Sequence, residues 1–356
     1  GTPVVGHQGF TRGPAMREGR SAGRVQHTCH VCGALVSLSV MRVIDGKAYH
    51  TQCIRRSGLS TARGSLQELT EAFKIEQLEL RKRLITDDST VRGWDPCTLE
   101  GLTLVGGVDI SFWETPEGGK TPTENSEGVG QHALAALVVL EFPSQRVLYR
   151  ALKPVVMTVP YIPGFVAFRE VEFFIDLLTD LVAVHPELRP QIVMVDGNGV
   201  LHNRGFGSAS HLGVLAGYTT IGIGKNLMHF DGLHTDKVRL ETNKLTRGGQ
   251  SIPLVGESGT TWGAALRSTD KSIKPIYVSV GHGLSLETAL RVTSACCKVR
   301  IPEPVRQADL ISRDHMAAHP PVPPDLPLVP ASVAQEEARL LQCTVFSGVD
   351  YSRLKS

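Results

Sequence analysis

Apolar positions along this chain fall into two rhythms. Between Leu66 and Leu84 they recur every three or four residues in LQELTEAFKIEQLELRKRL, with charged positions facing out, which predicts an amphipathic helix. From Leu102 the apolar runs become continuous. Leu102–Phe112, HALAALVVLEF (132–142) and RVLYRALKPV (146–155) predict three antiparallel strands, the last two joined by a turn at Pro143-Ser144-Gln145. A polar, Gly/Pro-rich loop, Glu114–Gly130, separates the first from the second. After PYIPG, the residues Phe168, Val171, Phe174, Ile175, Leu178 and Leu181 mark one side of a helix. Further on, Ile192–Val195, Thr219–Ile223 and Ile276–Val280 predict strands. Ser208–Leu215, LSLETALRVTSACC and VRQADLISRDHM predict helices. The expected fold is α/β, with helices flanking one central mixed sheet.

The flanks read differently. Residues 1–25 are rich in Gly and Arg with few large apolar side chains, a composition that predicts disorder. Residues 27–57 form a small cysteine-bearing module, 66–316 the folded body, and 317–356 a tail opened by the proline-dense HPPVPPDLPLVP. No apolar run approaches the roughly 20 residues that cross a bilayer, so no membrane association is expected. The N-terminus lacks the layout of a secretory signal, although the sequence begins at Gly1. Seven irregularly spaced cysteines fit reduced thiols in a cytoplasmic or nuclear setting, nucleolar included. The net charge of +2 conceals an asymmetry. Residues 1–65 carry nine Lys/Arg against two Asp/Glu, whereas 66–316 carry 25 against 29. An acidic body that binds nucleic acid needs a local basic groove or metal ions.

The chemistry is concentrated in a few acids. Asp109 lies in VGGVDISF and Asp196 ends IVMVD, both beside apolar strand sequence. An unpaired carboxylate there is costly to desolvate, and a hard divalent cation relieves that cost. Either aspartate alone is more simply a strand cap, since Asp196-Gly197 and Asn198-Gly199 are ordinary turn dipeptides. The pair together with Glu170, in PYIPGFVAFRE, and Lys225, in GIGKNL, favours a Mg²⁺ site that attacks phosphate esters. Lys225 could hold the scissile phosphate, because Gly222 and Gly224 free the backbone for close approach. The block DGNGVLHNRGFG (196–207) holds four glycines, His202 and Arg204, suited to reading a base through backbone amides. Tyr161 sits between prolines on a stiff loop and is either a wedge for a base stack or a core residue.

These stretches carry a resemblance. VGGVDISF, PYIPGFVAFREVEF, VDGNGVLHNRGFGSASHLGVL, IGIGKNL, ALRSTDKSIKPIYVSVGHGLSLETA and RIPEPVRQADL, in this order and spacing, resemble the endonuclease V family over about residues 66–316. The resemblance implies a ribonuclease H-like fold and Mg²⁺-dependent cleavage, with Mn²⁺ as substitute. The cut would fall at the second phosphodiester 3′ to inosine or deoxyinosine, leaving 3′-hydroxyl and 5′-phosphate. It implies Asp109, Glu170 and Asp196 as metal ligands and Lys225 as phosphate contact. Pro160, Tyr161, Ile162, Pro163 and Gly164 become a strand-separating wedge, and Gly197, His202, Gly205 and Gly207 line the hypoxanthine pocket. Asp309, in RQADL, stands where bacterial relatives carry His, and still counts among the catalytic acids. His282, in SVGHG, either supports the site or makes a structural hydrogen bond.

Cys29-x-x-Cys32 and His50-x-x-Cys53 have the spacing of a tetrahedral zinc site, and GKAYHTQC resembles half of a LIM-type finger. The expected partner is inosine-containing single-stranded RNA. A deoxyinosine-directed DNA repair enzyme and a catalytically dead RNA-binding adaptor are the competing readings; the intact acids weigh against the adaptor. The sequence says nothing of protein partners.

Overall fold

The computed structural model describes residues 66–113, 131–157 and 159–319, together with four short strands between 27 and 50. The chain divides into two compact units, Gly1–Ser60 and Thr61–Ser356. In the first, β1 (His27–Thr28) pairs antiparallel with β2 (Leu35–Val36), and β3 (Met41–Ile44) with β4 (Lys47–His50). The expected zinc ligands Cys29, Cys32 and Cys53 lie outside the described residues, as does the side chain of His50. So do residues 1–25, the loop 114–130 and everything beyond 319.

The second unit opens with α1 (Leu66–Arg81), followed by β5 (Leu104–Phe112), β6 (His132–Glu141) and β7 (Val147–Val156). Then come α2 (Ala167–Val184), β8 (Ile192–Asp196), α3 (Ser208–Ala216) and β9 (Thr219–Gly224). The chain continues through α4 (Thr235–Thr242), β10 (Ser251–Val255), β11 (Thr261–Leu266), β12 (Ile276–His282), α5 (Leu286–Ala295) and α6 (Glu303–Ala318). One eight-stranded sheet results, in the order β10-β11-β12-β9-β8-β5-β6-β7. β8 is parallel to both β5 and β9, and every other pairing is antiparallel. This is a mixed sheet flanked by helices, the ribonuclease H-like arrangement.

Burial explains the two rhythms. β8 lies in the middle of the sheet, and Ile192 to Val195 are all fully buried, so both of its faces must be apolar. On one face Val108, Val193 and Val195 pack beneath Phe174, Leu178 and Leu212 of α2 and α3. On the other, Val105, Met194 and Ile223 pack beneath Val292 of α5 and Val305 of α6. α6 seats so closely on β5 that a Cβ at Gly107 would come 2.1 Å from the Pro304 carbonyl oxygen. Only glycine lets the helix reach that depth.

In the second unit three elements went unassigned by pattern: α4, β10 and β11. The helix α6 also runs two residues past Met316, the expected end of the folded body. Pro253 sits in β10, a strand paired only with β11, where a missing N–H costs no ladder bond on the sheet side it exposes.

Candidate active site

Strand register brings the two aspartates together. Val108 of β5 lies beside Val195 of β8 in parallel pairing, so the next residues, Asp109 within β5 and Asp196 at the end of β8, come out side by side. Alternation turns both toward α6, the side that Val105 and Met194 face. Asp109 is buried and its carboxyl is hydrogen-bonded to that of Asp196. Lys225, one residue beyond β9, places Nζ 2.6 Å from Asp196 Oδ2 and 3.9 Å from Asp309 Oδ1. Asp309 reaches this point from α6, where Arg313 one turn later contacts the same Oδ1 at 2.8 Å. A hydrogen bond of 2.8 Å between Ser111 and Ser312 ties β5 to α6 just beyond the acids. Glu170, in the first turn of α2, approaches from the opposite face and shares a cleft with Asp196.

The electrostatics follow from this crowding. Burial, and then the hydrogen bond and charge of Asp196, push the Asp109 carboxyl up to about 9, against the pull of Lys225. Burial likewise pushes Glu170 up to about 8, with Asp196 adding and Arg169 opposing. Burial would depress the Lys225 ammonium, but the carboxylates of Asp196, Asp109 and Asp309 hold it above its ordinary value. The crowded Asp109–Asp196 pair therefore resists full ionisation, burial being the chief cause and the hydrogen bond and like charge of the partner the next.

This donor set fits a hard divalent cation. Two carboxyls in contact, kept apart from mutual repulsion only by a proton, offer the oxygen ligands that Mg²⁺ or Mn²⁺ take. Among the described residues no three ligating side chains already converge on a single point. A cation between Asp109 and Asp196 would take the place of the proton the pair favours and would compete with Lys225 Nζ for Asp196 Oδ2.

Beside the acids lies a pocket of about 270 Å³. Of the residues expected to wedge or read a base, Tyr161, Pro163, Gly164, Gly197, His202 and Gly207 line it. Pro160 and Ile162 are not part of the wall. Ile162 is instead buried with Phe73, Val159, Phe165 and Phe168, beneath the loop. Gly205 is also off the wall, with the Arg81 guanidinium about 3.0 Å from where its Cβ would be. Tyr161 is 51 % exposed at the loop tip, so it is not a core residue. His202 is nearly buried and held down at about 4, chiefly by burial and then by Arg204; its Nδ1 accepts the Arg204 backbone N–H at 3.2 Å.

His282 does not join the site. β12 runs antiparallel to β9, so His282 pairs with Thr220 while Tyr277 pairs with Gly224, next to Lys225. Four residues of strand, about 13 Å, separate it from that end of the sheet. Its Nδ1 accepts the Ile85 N–H at 3.3 Å, a structural contact. Six lining residues were missed, Val166, Ala167, Asn198, Ser208, Met228 and, from α1, Gln77, which is 1 % exposed. Its spacing from Phe73 marked it as a polar residue on the apolar face of the helix.

An acidic cleft where parallel strands end in a ribonuclease H-like sheet defines the class. Residues 88–310 match the endonuclease V family model. Human endonuclease V is 46% identical over 263 residues, 72% of this chain and 87% of that protein. Its crystal structure matches with TM-score 0.63 at 45% identity, covering 70% of this chain and 98% of the human one. Endonuclease V of Ciona intestinalis, solved with a 24mer DNA containing an inosine followed by a ribo-adenosine, matches with TM-score 0.62 at 34% identity over 70% of this chain and 99% of its own. The chain belongs to the endonuclease V family.

Proposed function

We propose that this protein is a divalent-metal-dependent endonuclease that cuts inosine-containing single-stranded RNA, and deoxyinosine-containing DNA less readily. The cut falls at the second phosphodiester 3′ to the modified base and leaves 3′-hydroxyl and 5′-phosphate ends. The observation that carries this reading is the contact of Asp109 with Asp196 beside Lys225 and a glycine-walled pocket.

Asp109 and Asp196, with Glu170 across the cleft, would hold Mg²⁺ or Mn²⁺. When bound, such an ion supplies an activated water and neutralises charge at the phosphate. The chain's own groups do the rest. Lys225, released from Asp196, offers its ammonium to the phosphate or the departing oxygen. Asp309 holds Lys225 and Arg313 nearby as alternative partners. Tyr161 fills the gap left when the base turns into the pocket. Hypoxanthine presents an O6 acceptor and an N1–H donor, the reverse of adenine, so backbone groups matched to one leave polar atoms unpaired with the other. The zinc module of Cys29, Cys32, His50 and Cys53 belongs to the same proposal as a structural site; purified protein without stoichiometric zinc would remove it.

The test compares matched strands carrying inosine, adenosine or deoxyinosine at one position, with Mg²⁺ or with EDTA. A single Mg²⁺-dependent cut beside inosine, faster in RNA than in DNA, is expected. Equal cutting of the adenosine strand would remove base recognition, and preference for DNA would favour the repair reading.

A further inference from the structure

We infer that Gln77 and Arg204 are positioning residues that lock the Tyr161 loop to the base-pocket loop, which makes α1 part of the strand-opening apparatus. The inference rests on the reading above that Tyr161 separates strands at inosine. α1 precedes the segment spanned by the family model, residues 88–310. Yet α1 forms the underside of the site. Phe73 stacks on Phe168 with ring centroids 4.2 Å apart and planes 12° from parallel, and it packs with Ile162 and Phe165 below the wedge loop.

One turn later, Gln77 joins three segments. Its amide nitrogen donates to the Phe206 carbonyl at 2.6 Å and lies 3.4 Å from that of Gly164. Its amide oxygen accepts from Arg204 Nε. Arg204 Nη2 donates to the Gly164 carbonyl at 2.5 Å, and its guanidinium lies 3.9 Å over the Phe165 ring. The fork thus spans from the pocket loop (203–207) to the wedge loop (160–165), and Gln77 fastens both to the helix. The turns are shaped for it. Gly164 has φ +79°, and a Cβ there would lie 2.8 Å from Arg204 Nη2. Gly205 has φ +64° and faces the Arg81 guanidinium, again from α1.

This arrangement has a conditional consequence. Tyr161 stands exposed at the loop tip and bears a load only when the inosine strand is paired and must be opened. The strut passes that load to a packed helix. With an unpaired inosine the loop needs only to close over the base. Loss of the strut should therefore weaken cleavage of paired substrate more than cleavage of single strands.

The experiment measures kcat/KM of the full-length chain on one inosine strand, alone and annealed to its complement, for wild type, Gln77→Ala, Gln77→Glu and Arg204→Lys. For Gln77→Ala and Arg204→Lys the loss on the paired substrate should exceed the loss on the single strand by roughly tenfold, the scale set by small misplacements of positioned groups. Gln77→Glu keeps an acceptor for Arg204 and should recover part of that difference. Arg204→Lys keeps the charge but not the planar fork, and serves if Gln77→Ala fails to fold. Hydrogen exchange at Ile162 and Phe165 gives a readout free of catalysis and should quicken in both variants. Equal losses on both substrates, or unchanged exchange in the loop, would overturn the inference. A wild type that ignores inosine would instead remove the proposed function, and exchange would still judge the strut.

Discussion

Adjacent glycines on β5 offer a graded test of how the site is assembled. Gly107 and Gly106 face opposite sides of the sheet. A methyl at Gly107 would meet backbone, the Pro304 carbonyl oxygen at 2.1 Å, so α6 must withdraw by about 1.3 Å to reach ordinary contact. Overpacking of this kind costs about 1–3 kcal/mol, and the rigid obstacle puts Gly107→Ala at the upper end. In a domain of this size each kcal/mol lowers Tm by about 2–4 °C, so a drop of roughly 6–12 °C is expected. At Gly106 the nearest atom is a Pro190 side-chain carbon at 3.1 Å, which needs to give only a few tenths of an ångström. There the reduced freedom of the unfolded chain recovers about 0.4–1 kcal/mol, and Gly106→Ala should fall within about 2 °C of wild type. Because α6 carries Asp309 and Ser312, Gly107→Ala should also cut cleavage at temperatures where the protein is fully folded. Differential scanning calorimetry with cleavage assays decides it. A Gly107→Ala protein as stable as wild type, or less perturbed than Gly106→Ala, would refute the close seating of α6 on β5.

Other outcomes follow from the same geometry. Asp109→Asn should leave metal-free stability within about 1 kcal/mol, since an amide can donate to Asp196 as the protonated acid does, while cleavage falls by at least about a hundredfold; comparable activity would remove Asp109 from the site. In EDTA, stability should decline from pH 6.5 toward 9. The fold favours neutral Asp109 and Glu170, whose contribution is complete below their ordinary values and is lost as pH rises through about 9 and about 8. Denaturant midpoints that rise over this interval would contradict it. Below pH 6.5 the sign is opposite for His202 and His211, held neutral by burial down to about 4 and about 3. Their loss offsets the continuing gain from the two acids, so stability should level off between pH 6.5 and about 4, then fall below that until His211 is charged. Phe73→Ala removes the ring stacked on Phe168 and should cost about 3–5 kcal/mol by thermal or denaturant unfolding.

Much of the site was legible because its chemistry conflicts with its surroundings. Asp109 and Asp196 announce themselves as carboxylates in apolar strands, and the glycines of 196–207 and 222–224 mark backbones that approach closely. A Cβ at Gly222 would lie 2.3 Å from the Gly199 nitrogen. What escaped was either short or long-range. β10 and β11 are five and six residues long, with Pro253 inside one and Gly263 inside the other, so neither carries a clear alternation. Gln77 meets Arg204 across 127 positions of sequence, a partnership no local pattern encodes. His282 lay inside a matching motif, and only the antiparallel register of β12 shows that it points to the wrong end of the sheet.

Manganese titration followed by electron paramagnetic resonance tests the pairing of the two aspartates most directly. Wild-type protein should bind Mn²⁺ with competition by Mg²⁺ and with proton release at pH 7, while Asp109→Asn and Asp196→Asn should each bind far more weakly. Undiminished Mn²⁺ binding in both variants would show that the cation is held elsewhere, and the assignment of these acids would fall with it.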